Sequence, residues 1–84
     1  LAEVALLERA KASLQAERPE AALALLDRHA EEHADGALTE EREALRALAR
    51  CAAGDVAAGR SDMRSFLRAY PRSTYAARVR AACE

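Results

Sequence analysis

The amino-acid sequence predicts an all-α fold, an α-α superhelix of two helical hairpins plus a C-terminal capping helix. Three observations carry that expectation. Alanine, leucine, arginine and glutamate dominate a chain of 84 residues that holds three glycines, two prolines and no tryptophan. Such a composition is rich in helix formers and poor in breakers. Apolar residues recur at helical spacing, and no stretch alternates with period 2. Finally, the chain partly repeats itself after 37 residues.

Helices are expected at about 2–16, 19–34, 38–53, 55–70 and 73–83. Pro19 suits the first turn of the second helix, where its missing N–H costs nothing. Gly36 is placed to take the left-handed cap that ends that helix. Thr39 offers a hydroxyl to cap the third. Gly54-Asp55 reads as a stop followed by an N-cap. Pro71 ends the fourth helix, and Ser73 or Thr74 can cap the fifth. The whole, residues 1–84, is one small domain, with a first repeat at about 2–34 and a second at about 38–70. Because the chain opens on Leu1, it reads as a domain excised from a longer polypeptide. A domain of this size buries about 60% of its unfolded surface, so its stability margin is thin.

The net charge of −1 conceals a division. Residues 1–45 carry five Lys/Arg against eleven Asp/Glu, and residues 46–84 carry eight Arg against three acids. One end of the domain is acidic and the other basic, and the plainest reading is solvated helix faces. No apolar run approaches the roughly 20 residues that span a bilayer, so no membrane span is expected. Arg72, Arg78 and Arg80 beside Tyr75 make the last helix basic, but the acidic half opposes a long phosphate track, so nucleic acid is not an expected partner.

At an offset of 37, Arg9 falls on Arg46, Ala10 on Ala47, Ala12 on Ala49 and Ala16 on Ala53. In the second half of each unit Ala21 falls on Ala58, Leu26 on Met63, His29 on Phe66, Ala30 on Leu67 and His33 on Tyr70. A repeated helical hairpin implies a solenoid in which each unit buries a face against the next. The fifth helix aligns with the start of a third unit and should close the stack. Leu67, Tyr70, Tyr75, Ala76 and Val79 are then expected to pack together.

In GDVAAGRSDMRSFLRAYPRS, the Gly54-Asp55 turn, the following helix and Pro71 resemble the second half of a tetratricopeptide repeat. In ERPEAALALLDRHAEEHADG, Ala22 and Leu26 match that family's small and large core positions. FLRAYPRSTYAARV is most similar to repeats of bacterial envelope proteins, of the outer-membrane-assembly lipoprotein and Tol–Pal coordinator types. The resemblance implies a bacterial periplasmic or envelope setting, with the cytoplasm as the alternative. The chain departs from the family where Gly59 replaces an alanine, where Ala34 replaces a proline, and in its longer repeat. Leu6 and Glu43 occupy equivalent positions early in the two first helices, where the family has a large residue.

HAEEH, His29 to His33, matches the H-x-x-E-H pattern of a class of zinc peptidases. Two imidazoles one turn apart share a helix face, but a third ligand and a cleft are needed as well. Asp55, Asp62 and Glu84, the acids downstream of Glu43, sit in no comparable helical context. The repeat offers the better reading, since His29 and His33 stand where Phe66 and Tyr70 do, on a packing face. No metal, no cofactor and no catalytic residues are therefore expected. Cys51 and Cys83 form no C-x-x-C, and the expectation is two separate thiols packed as small hydrophobes. A disulfide pinning the capping helix requires an oxidising compartment, and the two cysteines' offsets within their units differ by about a turn.

The resemblance implies a protein–protein interaction module whose first helices line a concave face. It carries the partner-binding role to Leu7, Lys11, Leu14 and Gln15 in one unit and Glu41, Leu45 and Leu48 in the other, with Val4, Ala44 and Cys51 beside them. This mostly apolar lining suits an amphipathic helix or hydrophobic segment of another protein. The alternative is a structural or oligomerisation spacer supporting another region, such as a membrane-bound anti-sigma-type regulator. In that case the acidic and basic ends self-associate head to tail.

Overall fold

The structure is a computed structural model and describes residues 2–84. Its five helices are α1 (Ala2–Gln15), α2 (Pro19–Glu32), α3 (Thr39–Ala52), α4 (Val56–Ala69) and α5 (Ala76–Ala81). No strand occurs among the described residues. α1 pairs with α2 and α3 with α4, giving two hairpins. α2 packs on α3, α1 touches α3, and α5 lies against α3 and α4. Among the described residues α1 does not reach α4, so the helices form consecutive layers and not a closed four-helix bundle.

The 37-residue offset carries the helix boundaries with it. Shifted by 37, α1 falls on α3 and α2 on α4 residue for residue, and the start of α3 falls on the start of α5. The turn inside each hairpin also repeats. Glu17 has φ 60° and its equivalent, Gly54, has φ 86°. Both turns thus need a left-handed residue, which glycine supplies without strain and glutamate does not.

Buried positions follow the helical period. α1 buries Leu6, Leu7 and Ala10, and α2 buries Ala22, Leu26 and His29. α3 is covered on several sides and buries Arg42, Ala44, Leu45, Ala47 and Ala49. α4 buries Gly59 and Phe66, and α5 buries Ala76 and Val79. These side chains form two clusters. Leu7, Ala10, Ala22, Leu26, Leu45 and Ala49 join α1, α2 and α3. Ala44, Ala47, Phe66 and Val79 join α3, α4 and α5, with Met63, Leu67, Tyr70 and Tyr75 against them. Leu48 packs against both. Of the expected grouping, Leu67, Tyr70, Tyr75 and Val79 come together in this cluster, while Ala76 is buried but is not among its members. Small residues at the crossings let the helix axes approach closely. Each fully buried large side chain contributes about 1.5–3 kcal/mol.

Several local expectations change. Pro19 does open α2, and Asp55 does cap α4, its carboxylate accepting from the Ala58 N–H at 3.3 Å. Gly36, however, is not left-handed. The Glu3 carboxylate sits against it, and an added Cβ would collide with that carboxylate. Thr39 is already inside α3, and its hydroxyl donates back to the Gly36 carbonyl at 2.8 Å. The last helix is much shorter than 73–83. Ser73 Oγ accepts from the Tyr75 N–H at 3.1 Å, holding the turn before α5 in place of capping it directly.

Cys51 and Cys83 are bonded to each other, with Cα atoms 5.2 Å apart. This corrects the expectation of two separate thiols. The offset argument assumed that Cys83 continues a helix, but α5 ends at Ala81 and Cys83 lies in the turn beyond it. The turn brings its sulfur back over α3 and α4. Gly59 makes room for the bond: a Cβ there would stand 2.5 Å from the Cys51 sulfur and 2.8 Å from that of Cys83. The glycine that departs from the repeat pattern is thus a seat for the disulfide.

Candidate functional site: a cleft between α1, α3 and α5

A cleft of about 90 Å³ opens between α1, α3 and the start of α5, lined by Lys11, Leu14, Gln15, Leu45, Tyr75 and Arg78. Leu14 and Leu45 give it an apolar floor, since Leu45 belongs to the first core cluster and Leu14 packs against that cluster. Its rim is polar and organised by Glu41. One oxygen of that carboxylate accepts from the Tyr75 hydroxyl at 2.9 Å, and the other lies 3.3 Å from the Lys11 ammonium. Glu8 adds a second contact to Lys11 at 3.5 Å. The Arg78 guanidinium stands 5.7 Å from the Tyr75 ring centre, a cation–π arrangement.

The titration behaviour follows this wiring. Burial opposes the Lys11 charge, but the hydrogen bond and charge of Glu41, aided by Tyr75 and Glu8, raise its pKa above the ordinary 10.5. Burial, then the hydrogen bond to Glu41, raises the Tyr75 phenol above its ordinary 10.0. At neutral pH the rim therefore holds a protonated lysine, a neutral phenol and an arginine around one committed carboxylate.

The sequence-predicted positions divide. Lys11, Leu14, Gln15 and Leu45 line the cleft, and Glu41 braces its rim. Leu7 is 1% exposed and belongs to the core, which removes it from any accessible lining. Ala44 is likewise buried. Leu48 lies between the two core clusters and does not line the cleft, a correction to its expected place. Val4 is exposed but stands outside the lining, and Cys51 is committed to the disulfide. Tyr75 and Arg78 were missed as groove residues. The signal existed, because Arg78 is Glu41 advanced by 37 residues, the same position carried into a third unit.

Two open grooves of about 310 and 190 Å³ lie on the other side of α3, around Tyr70. They are larger than the cleft but are lined only by single acidic residues of α3, Glu40 and Glu43, and by α4 with the loop after it, without the convergence of three helices seen at Leu45.

The histidines of the HAEEH stretch are part of the packing. His29 is fully buried, and its ring stacks at a tilt on His33 with centroids 5.4 Å apart. Phe66 and Tyr70 repeat that geometry at 5.3 Å. His29 Nδ1 lies 3.3 Å from Arg42 Nη1. Arginine only donates, so Nδ1 is the accepting nitrogen and the ring proton sits on Nε2. Nε2 faces the Glu3 carboxylate at 3.4 Å, within reach of charge attraction but not aligned as a hydrogen bond. Burial, then Arg42, lowers the His29 pKa below 6.5, with Glu3 pulling the other way. Arg42 also donates to the His33 carbonyl at 3.3 Å and to Glu43 at 2.8 Å. It thereby places a cation at the C-terminus of α2. Glu3 accepts from the Leu38 N–H at 3.1 Å, tying α1 to the α2–α3 loop.

Among the described residues no group of three or more His, Cys, Asp or Glu side chains is disposed to hold a metal ion, and no helix is long and apolar enough to cross a membrane. No protein-family model matches the chain, and no curated protein or solved structure matches it either.

Proposed function

We propose that the chain is a non-catalytic protein–protein interaction module of tetratricopeptide type, which holds a segment of a partner protein in the cleft between α1, α3 and α5. The observation that supports this reading is the convergence of Leu14, Leu45, Lys11, Gln15, Tyr75 and Arg78 from three elements on one small cleft. Small-molecule sites run to about 300–1,000 Å³. A cleft of about 90 Å³ instead suits one aliphatic side chain of a partner helix. The polar rim then fixes the direction of that helix, as a buried anchor with a hydrogen-bonding border does in other interfaces. The disulfide favours an oxidising compartment, which agrees with a bacterial periplasmic or envelope setting.

The test is selection of binders from a displayed library of amphipathic helical peptides, followed by titration against cleft variants. Arg78→Glu and Gln15→Trp are both at exposed positions, so the fold should survive them. Each is expected to weaken binding at least about tenfold, the scale of one lost anchor contact. Binders that tolerate both changes would move the partner site elsewhere.

A second reading, a spacer that associates head to tail, is favoured by one observation. The exposed face of α2 carries Asp27 and Glu31, and their equivalents on α4 are the exposed Arg64 and Arg68. Light scattering at low and high salt separates the readings, because a head-to-tail contact built on these charges weakens as salt screens them.

A further inference from the structure

The segment carrying Tyr75 and Arg78 is held by a few side chains, chiefly Val79 and the Tyr75 ring against the second cluster, and by one disulfide. α5 has six residues, too few to persist as a helix without tertiary support. It buries one valine and one alanine, and the Tyr75 hydroxyl and the Arg60 bond to the Cys83 carbonyl, at 3.4 Å, add two polar ties. The Cys51–Cys83 bond fixes it covalently to the last turn of α3. Neither cysteine is fully buried. The remaining helices have their own contacts: α1, α2, α3 and α4 join through two hairpins and the α2–α3 layer without α5.

From these facts we infer that Cys51–Cys83 is a thiol–disulfide exchange site for a dithiol reductant, and that its reduction undocks α5 while the four longer helices stay folded. The chemistry balances within the named reactants. A thiolate of the dithiol attacks the Cys83 sulfur, forming a mixed disulfide, and Cys51 leaves as a thiolate that takes up a proton. The second thiol of the reductant then attacks the mixed disulfide and releases Cys83. The protein gains two electrons and two protons, and the dithiol becomes a disulfide. Cys83 lies in the turn after α5, and so can move with the attacking group, whereas Cys51 is anchored in α3. Once reduced, Tyr75 and Arg78 are free to leave the cleft, and Glu41 keeps only Lys11. Redox state then sets whether the cleft has its third wall. That last consequence rests on the cleft being the partner site, but the undocking itself does not.

Amide hydrogen exchange on the intact chain, oxidised and in dithiothreitol, tests the undocking without any partner. The Val79 and Ala82 amides, bonded to the Tyr75 and Val79 carbonyls, report α5, and the Ala53 amide, bonded to the Ala49 carbonyl, reports α3. Reduction is expected to speed exchange in α5 by about 500-fold, the scale of a crosslink closing a loop of this length, with α3 unchanged. The Cys51→Ala/Cys83→Ala variant should show the fast α5 pattern with and without reductant. Equal protection of α5 in both states would overturn the proposal. So would collapse of protection throughout the chain, because the bond would then be a staple of the whole fold. A bond that resists millimolar dithiothreitol under native conditions would overturn it too. Failure of the cleft variants to weaken peptide binding would leave the exchange result intact and sink only the binding reading.

Discussion

At the boundary between α2 and α3, His29 meets Arg42. Advanced by 37 residues, at the boundary between α4 and α5, the same two positions are Phe66 and Val79, both buried in one cluster. The backbone is repeated, ring tilt included, yet one layer is closed by a polar pair and the other by an apolar one. The apolar pair needs no polar partners. The polar layer recruits the His33 carbonyl and Glu43 to accept from Arg42, and sets the Glu3 carboxylate 3.4 Å from His29 Nε2. A slot in a repeat thus specifies shape, while chemistry can be exchanged if its hydrogen bonds are carried with it. The second layer has its own dependence: its short closing helix is secured by a disulfide and a glycine seat.

The largest test of this contrast is Phe66→Ala. It should cost about 3–5 kcal/mol in urea unfolding, because the ring fills the space among Ala44, Ala47 and Val79 and its loss leaves a cavity there. Against a total of roughly 5–10 kcal/mol for so small a domain, that brings the chain close to unfolding at room temperature.

Next comes a transplant of the second layer into the first. Arg42→Val alone leaves His29 Nδ1 buried without its donor and should cost about 1–3 kcal/mol, and His29→Phe alone removes the acceptor opposite Arg42 at a similar cost. The double variant restores an apolar pair on the same backbone. It is expected to recover about 1–3 kcal/mol relative to the sum of the two, read from a double-mutant cycle. Strict additivity would show that the two layers are not interchangeable.

A third test uses pH. Burial and Arg42 lower the His29 pKa below 6.5 in the folded chain. Between the folded and unfolded values the unfolded chain binds more protons, so stability rises with pH there. The contribution of neutral His29 is complete above about 6.5 and is lost as pH falls toward the folded value. Glu3, Arg42 and His33 are the groups that face it, and Glu3 softens the effect. His29→Phe should abolish this part of the pH dependence in urea titrations at pH 5 to 8, and an unchanged profile would assign it to another group.

The smallest expected effects lie in the two hairpin turns. Gly54→Ala should cost about 1 kcal/mol, entirely through φ, because nothing lies within 4 Å of an added Cβ. At the equivalent turn Glu17→Gly should stabilise the chain by a few tenths of a kcal/mol or leave it unchanged, as relief of strain competes with a looser unfolded state. A lowered thermal midpoint for Gly54→Ala beside an unchanged or raised one for Glu17→Gly would confirm that the turns share one geometry.

Much of the scaffold was legible because periodicity and punctuation agree with each other. The 37-residue offset places α1 to α4, and Pro19 and Asp55 mark helix starts that hold. What escaped were features decided by side chains arriving from far along the chain. Gly36 looks like a cap, but its small size is used by Glu3, 33 residues earlier. The bond to Cys83 depends on α5 breaking off at Ala81, and helix ends are the least readable part of a sequence. Leu7 and Leu48 are assigned to the concave face by helix position, yet packing among α1, α2, α3 and α4 turns them into the core. Arg78 escaped because the groove positions were carried to the first two units alone, although the fifth helix aligns with the start of a third.

α3 contributes Leu45 and Ala49 to one cluster and Ala44 and Ala47 to the other, and Leu48 touches both. Neither hairpin owns a complete interior without it. Heat should therefore melt the oxidised protein in a single cooperative event, with calorimetric and van't Hoff enthalpies in agreement. A peptide cut at Gly54 would leave two pieces that remain joined through Cys51 and Cys83, and neither piece would hold a complete second layer without the other.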